Sequence, residues 1–64
     1  MALTLKAARV NAGLTQAEAA KIIGVSEQTL VKYEKGTAYP NVRTLKRIED
    51  AYKVEYRDLV FYGI

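Results

Sequence analysis

A chain of 64 residues can enclose one small core, since a domain this short buries only about 60% of its unfolded surface. Half of its residues are hydrophobic, too many for a disordered tail, and the lack of cysteine and histidine removes disulfides, thiolate chemistry and the commonest metal ligand and general base. A net charge of +3 is too mild to point to nucleic acid unless the charge is unevenly placed.

In chain order, Thr4 can cap a helix of about Leu5 to Ala12, whose inner face would be Leu5, Ala8 and Ala12. Thr15 followed by Glu18 three residues on is a capping box, opening a second helix with Gln16 in its first turn. Gly24 can take the left-handed conformation that ends it. Ser26 then caps a third helix, with Val25 and Leu30 at the two positions of a hydrophobic staple. Glycines at 13, 24 and 36 each follow a periodic stretch, as helix-terminating residues do. Pro40-Asn41 closes the next loop and caps a helix from about Val42 to Tyr52, with the stripe Leu45, Ile48, Ala51 and Tyr52. Lys53-Val54-Glu55 connects to a last helix, about Tyr56 to Tyr62, although Glu55 is a poorer cap than Ser or Asp. No stretch alternates well enough to predict a strand. The expected fold is all-α, one domain over 1–64, a compact bundle of about five short helices.

Residues 16–35 carry the most specific pattern. Two helices joined by Gly24-Val25-Ser26 must cross steeply, with Ala20 small enough to allow close approach and Leu30 filling the wedge. That geometry lets one helix enter a DNA groove while the other braces it across the backbone.

From Leu5 to about Val60 the sequence resembles the lambda repressor/Cro-like helix-turn-helix family of phage repressors and bacterial regulators. The resemblance rests on Gly13-Leu14-Thr15-Gln16, Glu18, Ala20, Ile23-Gly24-Val25-Ser26, Leu30, Tyr33-Glu34, Gly36, Pro40, Thr44-Leu45, Ile48 and Asp58-Leu59. Four residues depart from the family pattern: Ala19 for a larger aliphatic residue, Glu49 for a small one, Lys53 for glycine and Glu55 for a serine-like cap. The resemblance implies that Gln16 hydrogen-bonds a phosphate. It places Glu27, Gln28 and Lys32 nearest the bases, with Ser26 and Val31 beside them, and matches Arg9 and Glu34 to a partly buried ion pair. With no bilayer-spanning run and no signal-peptide core at the N-terminus, a cytoplasmic, nucleoid-associated protein of a bacterium or phage-infected cell is expected.

Helical spacing gives a compatible picture of the third helix. Gln28, Val31, Lys32 and Lys35 fall on one face, while Leu30, Tyr33 and Glu34 turn toward the protein. An amide there can bond adenine bidentately, a lysine can reach guanine or a phosphate, and a valine can touch a thymine methyl. Glu27 either accepts from cytosine or only complements the helix dipole. Five basic residues and one acidic residue lie between Lys32 and Arg47. Phosphate contacts are therefore expected from among Lys35, Arg43, Lys46 and Arg47, the alternative being a solvated charged face. Thr37-Ala38-Tyr39 lacks basic residues, leaving backbone N–H groups, the Thr37 hydroxyl or Tyr39 to contribute.

The leading expectation is a transcriptional regulator on double-stranded DNA, a repressor or Cro-like switch. The alternative is an antitoxin or protein-interaction module of the same fold that autoregulates its operon. An enzyme is disfavoured by the lack of histidine, cysteine, a phosphate loop and room for paired acids. No cofactor, metal or small-molecule effector is expected. No apolar run approaches the ~20 residues that span a bilayer, so no membrane partner is expected either. Two-fold DNA recognition calls for a homodimer at least on DNA. Leu59-Val60-Phe61-Tyr62 is apolar at four consecutive positions, followed by Ile64. A helix cannot bury them all, so Leu59, with Tyr56, is expected to face the core and Val60, Phe61 and Tyr62 to form the dimer contact, the alternative being a frayed tail or a Phe61 folded back over the core.

Overall fold

The computed structural model describes residues 3–61. In it a two-residue strand β1 (Leu3–Thr4) leads into four helices, α1 (Leu5–Asn11), α2 (Gln16–Ile23), α3 (Glu27–Lys35) and α4 (Val42–Tyr52). A 3-10 turn (Tyr56–Asp58) and a second short strand β2 (Leu59–Val60) follow.

All four helices start on side-chain caps. Thr4, Thr15, Ser26 and Asn41 accept hydrogen bonds from the backbone N–H of Ala7, Glu18, Thr29 and Thr44. Each thereby satisfies one of the orphan donors of a first turn. The Thr15 box is reciprocal, because the Thr15 N–H donates to Glu18 Oε1 at 2.9 Å. That backbone hydrogen bond, with the one from the Thr15 side chain, holds the Glu18 carboxyl below its usual value of 4.5. Gly24 ends α2 with φ +89°, a conformation costly to any residue with a Cβ.

The core is built from Leu5 and Ala8 of α1, Ala19, Ala20 and Ile23 of α2, Leu30 and Tyr33 of α3, Ile48 and Tyr52 of α4, and Phe61. Ala20 is 3% exposed where α2 meets α3, and Leu30 is fully buried. Both are buried, as the predicted wedge requires. In α1 the inner face differs from expectation. Ala12 is exposed, lying past the last helical residue as the C-cap, and Arg9 is buried in its stead.

The chain's last stretch corrects the five-helix, all-α expectation. Glu55 makes no side-chain cap; its carboxylate accepts from Arg57 Nε at 2.6 Å. Only a single 3-10 turn forms, and Tyr56 is exposed rather than facing the core. Leu59–Val60 then runs extended and parallel to β1, with Leu3 opposite Leu59 and Thr4 opposite Val60. In extended backbone alternate residues share a face. Leu59 and Phe61 can thus both lie against the core, which a helix would not allow.

Candidate nucleic-acid interface

Helix α3 presents two chemically distinct sides. Leu30 and Tyr33 are buried, while Glu27, Gln28, Lys32 and Lys35 are exposed and Val31 lies half-buried at the margin. The polar face thus carries one amide, one carboxylate and two cations without an intervening large apolar side chain. Ser26, at its start, is already engaged: its Oγ accepts from the Thr29 N–H at 3.1 Å and lies 2.8 Å from Thr29 Oγ1.

Downstream residues divide into outward and bracing groups. Arg43 and Lys46 are exposed on α4. Arg47, expected among the phosphate-contacting cations, turns back and donates from Nη1 to the Ile23 carbonyl at 3.3 Å, covering the end of α2. Its Nη1 lies 2.7 Å from where a Gly24 Cβ would sit, but this flexible side-chain end could move aside, so the demand for glycine comes from the left-handed backbone. Thr37 also acts locally. Its N–H and its hydroxyl both donate to the Lys32 carbonyl, at 3.0 and 3.3 Å, closing the C-terminus of α3. The hydroxyl would have to turn away from that carbonyl to reach a phosphate.

Behind the exposed face lies a charged network. Arg9 Nε donates to Glu34 Oε2 at 2.7 Å, with the two side chains 9% and 7% exposed. Arg9 Nη1 donates to the Leu14 carbonyl at 2.9 Å. Glu34 Oε1 accepts from Gln16 Nε2 at 3.1 Å. One carboxylate therefore joins α1, the turn before α2, the first residue of α2 and α3. Tyr52 of α4 lies close enough to feel both charges: burial, then the Glu34 charge, raise its phenol to about 12, with Arg9 opposing. Nothing in helical spacing reveals the Gln16–Glu34 contact, which joins the first residue of α2 to α3.

The apolar C-terminal residues are placed differently from the sequence expectation. Phe61 is 7% exposed and belongs to the core, so it is not free dimer surface. Its ring lies beneath those of Tyr39 and Tyr56, at centroid distances of 5.1 and 6.1 Å. The exposed aromatic surface here is Tyr39 and Tyr56. Val60 is half-buried in β2, and Tyr62 and Ile64 lie outside the described residues. Among those residues no cluster of potential metal ligands occurs, and no helix is long and apolar enough to cross a membrane.

This arrangement is matched by a family model described as helix-turn-helix, over residues 5–59. The chain belongs to the lambda repressor/Cro-like helix-turn-helix family. Over 52 residues, 81% of the chain, it is 40% identical to the cryptic phage CTXphi transcriptional repressor RstR of Vibrio cholerae, of whose length it spans 47%. It is 36% identical over 58 residues to an uncharacterized HTH-type transcriptional regulator of Methanocaldococcus jannaschii, covering 91% of the chain and 88% of that protein. A similar regulator of Archaeoglobus fulgidus is 35% identical over 54 residues, 84% of the chain and 77% of that protein. No solved structure matches the chain significantly.

Proposed function

We propose that the chain is a sequence-specific DNA-binding transcriptional regulator, a repressor or Cro-like switch that acts by occupying its site rather than by chemistry. The observation that carries this reading is the outward face of α3, where Gln28 and Lys32 stand one turn apart and Lys35 and the α4 residues Arg43 and Lys46 add exposed cations. Membership of a helix-turn-helix family and the transcriptional repressor or regulator names of three relatives support it. In this reading Gln28 and Lys32 read bases, with Glu27, Val31 and Ser26 beside them. Lys35, Arg43, Lys46 and Gln16 hold phosphates.

The test is selection of bound duplexes from random sequence, followed by binding of two variants. Gln28→Ala should cost about 1–3 kcal/mol on the selected site and relax one base position. Lys46→Ala should weaken all sequences alike and reduce the log–log salt slope by about 0.9. A salt-independent affinity, or an unchanged base preference in Gln28→Ala, would refute the assignment.

A helix-turn-helix reads few base pairs, so the reading includes two copies on half-sites about one helical turn apart. The exposed Tyr39 and Tyr56 rings over Phe61, with Val60 next to Phe61 in sequence, are the contact surface it assigns. Tyr56→Lys should abolish cooperative binding to a palindromic site while leaving binding to a single half-site. Retained cooperativity would place the contact elsewhere.

A further inference from the structure

We propose that Glu34 is a positioning residue for DNA: it holds the Gln16 amide so that the second N–H of that amide is presented to a backbone phosphate. This rests on the DNA-binding reading above and adds to it a buried residue that touches no DNA.

Both oxygens of Glu34 are engaged, Oε2 by Arg9 Nε at 2.7 Å and Oε1 by Gln16 Nε2 at 3.1 Å. Arg9 is itself fixed by its second bond, to the Leu14 carbonyl. The carboxylate is thus anchored from the far side and cannot follow Gln16 if that side chain moves. An ionised carboxylate only accepts, so it fixes which way the amide faces: nitrogen toward Glu34. One of the two N–H groups on that nitrogen is used, and the other diverges from it. Gln16 is the first residue of α2 and only half-buried, so the amide has an open side.

Two physical effects favour this arrangement for phosphate contact. A free glutamine loses substantial rotamer freedom when it is immobilised by a ligand. Here folding has already ordered the side chain, so binding need not. The second effect is electrostatic. A bare carboxylate behind the amide would repel a phosphate, but the Arg9 guanidinium at 2.7 Å offsets its charge. What faces the DNA is then a neutral, oriented donor.

The experiment is a binding cycle on a short mixed-sequence duplex at low salt, with the folded fraction of each variant measured by circular dichroism. Gln16→Ala should weaken binding about tenfold. The salt slope should stay unchanged, because a neutral amide displaces no counterion. Glu34→Leu should weaken binding similarly per folded molecule, and the double variant should be no worse than either single. Glu34→Gln keeps one acceptor oxygen, for which Arg9 and Gln16 compete, so it should lower the melting temperature and bind less weakly than Glu34→Leu. Additive losses, an unaffected Gln16→Ala, or a Glu34→Gln as weak as Glu34→Leu would overturn the proposal. Should Glu34→Leu not fold, relaxation of the Gln16 side-chain amide in the free wild-type protein decides: an order parameter below about 0.6 overturns the proposal and a rigid amide supports it. Failure of wild type to bind any duplex would instead overturn the DNA-binding reading, and the clamp with it.

Discussion

Glu49 Oε2 accepts a 2.7 Å hydrogen bond from the backbone N–H of Tyr56, seven residues on. The 3-10 turn that Glu55 leaves uncapped is therefore capped from α4, by the residue that stands where the family has a small one. Glu49→Ala should lower stability by about 1 kcal/mol, the usual cost of a lost cap, read as a fall in thermal midpoint. Glu49→Gln, which keeps an acceptor, should lose less. Equal midpoints for wild type and Glu49→Ala would show that the bond contributes nothing.

Lys53 follows α4 with φ +56°, and it is the non-glycine residue with positive φ among the described residues. Left-handed backbone costs an L-residue roughly 1–2 kcal/mol. Lys53→Gly relieves that strain but raises the entropy of the unfolded chain, so the net gain should be about 1 kcal/mol at most. A raised midpoint in thermal or urea unfolding is the expected result, and a lowered one would mean that the lysine side chain makes compensating contacts.

Tyr52 Oη is buried without a hydrogen-bond partner among the described residues. Deleting an unsatisfied hydroxyl removes its desolvation cost, so Tyr52→Phe should be as stable as wild type or about 1 kcal/mol more so. Alkaline pH separates the two further. The Tyr52 phenol is raised from 10 to about 12, burial being the main cause. The folded state thus holds this proton more tightly than the unfolded state. Its contribution is complete below pH 10 and is lost as pH rises toward 12. Wild type should lose up to about 2–3 kcal/mol over that interval relative to Tyr52→Phe. Parallel pH profiles for the two proteins would exclude it.

Arg9→Ala strands Glu34 without its cation. Breaking a buried pair costs about 3–5 kcal/mol, against a total stability of about 3–10 kcal/mol for a domain of this length. Substantial unfolding at physiological temperature is expected. Replacing both partners, Arg9→Met with Glu34→Leu, should cost markedly less, since no buried charge is then left alone. If the double replacement melts no higher than Arg9→Ala, the stranded charge is not the cause.

What could be read in the sequence was mostly local. Thr4, Thr15, Ser26 and Asn41 cap helices within three residues of themselves, and the spacing from Val42 to Tyr52 gave α4 its correct ends. Features joining distant segments were hidden from local spacing, although the family resemblance did match Arg9 to Glu34 as a partly buried ion pair. Arg9 shares the inner face of α1 with Leu5 and Ala8 because Glu34, 25 residues away, neutralises it. Hydrophobic spacing instead put Ala12 on that face. The final helix was overestimated because Leu59-Val60 can pair with Leu3-Thr4, a partner that no local window contains. Among the candidate interface residues, the outward direction of Gln28, Lys32 and Lys35 followed from helical periodicity. The local duties of Thr37 and Arg47 did not, since both depend on carbonyls at helix ends brought near by folding.

The pairing of β1 with β2 also bears on how the chain opens. Residues 3 and 59 lie at nearly opposite ends of the sequence, yet their strands run side by side and only two residues deep. Joining them closes a loop around all four helices, an entropic cost met by very few backbone hydrogen bonds. Such a closure belongs late in folding and early in unfolding. Amide protons of Leu3, Thr4, Leu59 and Val60 should then exchange with solvent through local fraying, while those around Ile23 and Leu30 wait for global unfolding. The helical centre that carries the proposed recognition face would keep its shape through openings at the seam where β1 and β2 meet.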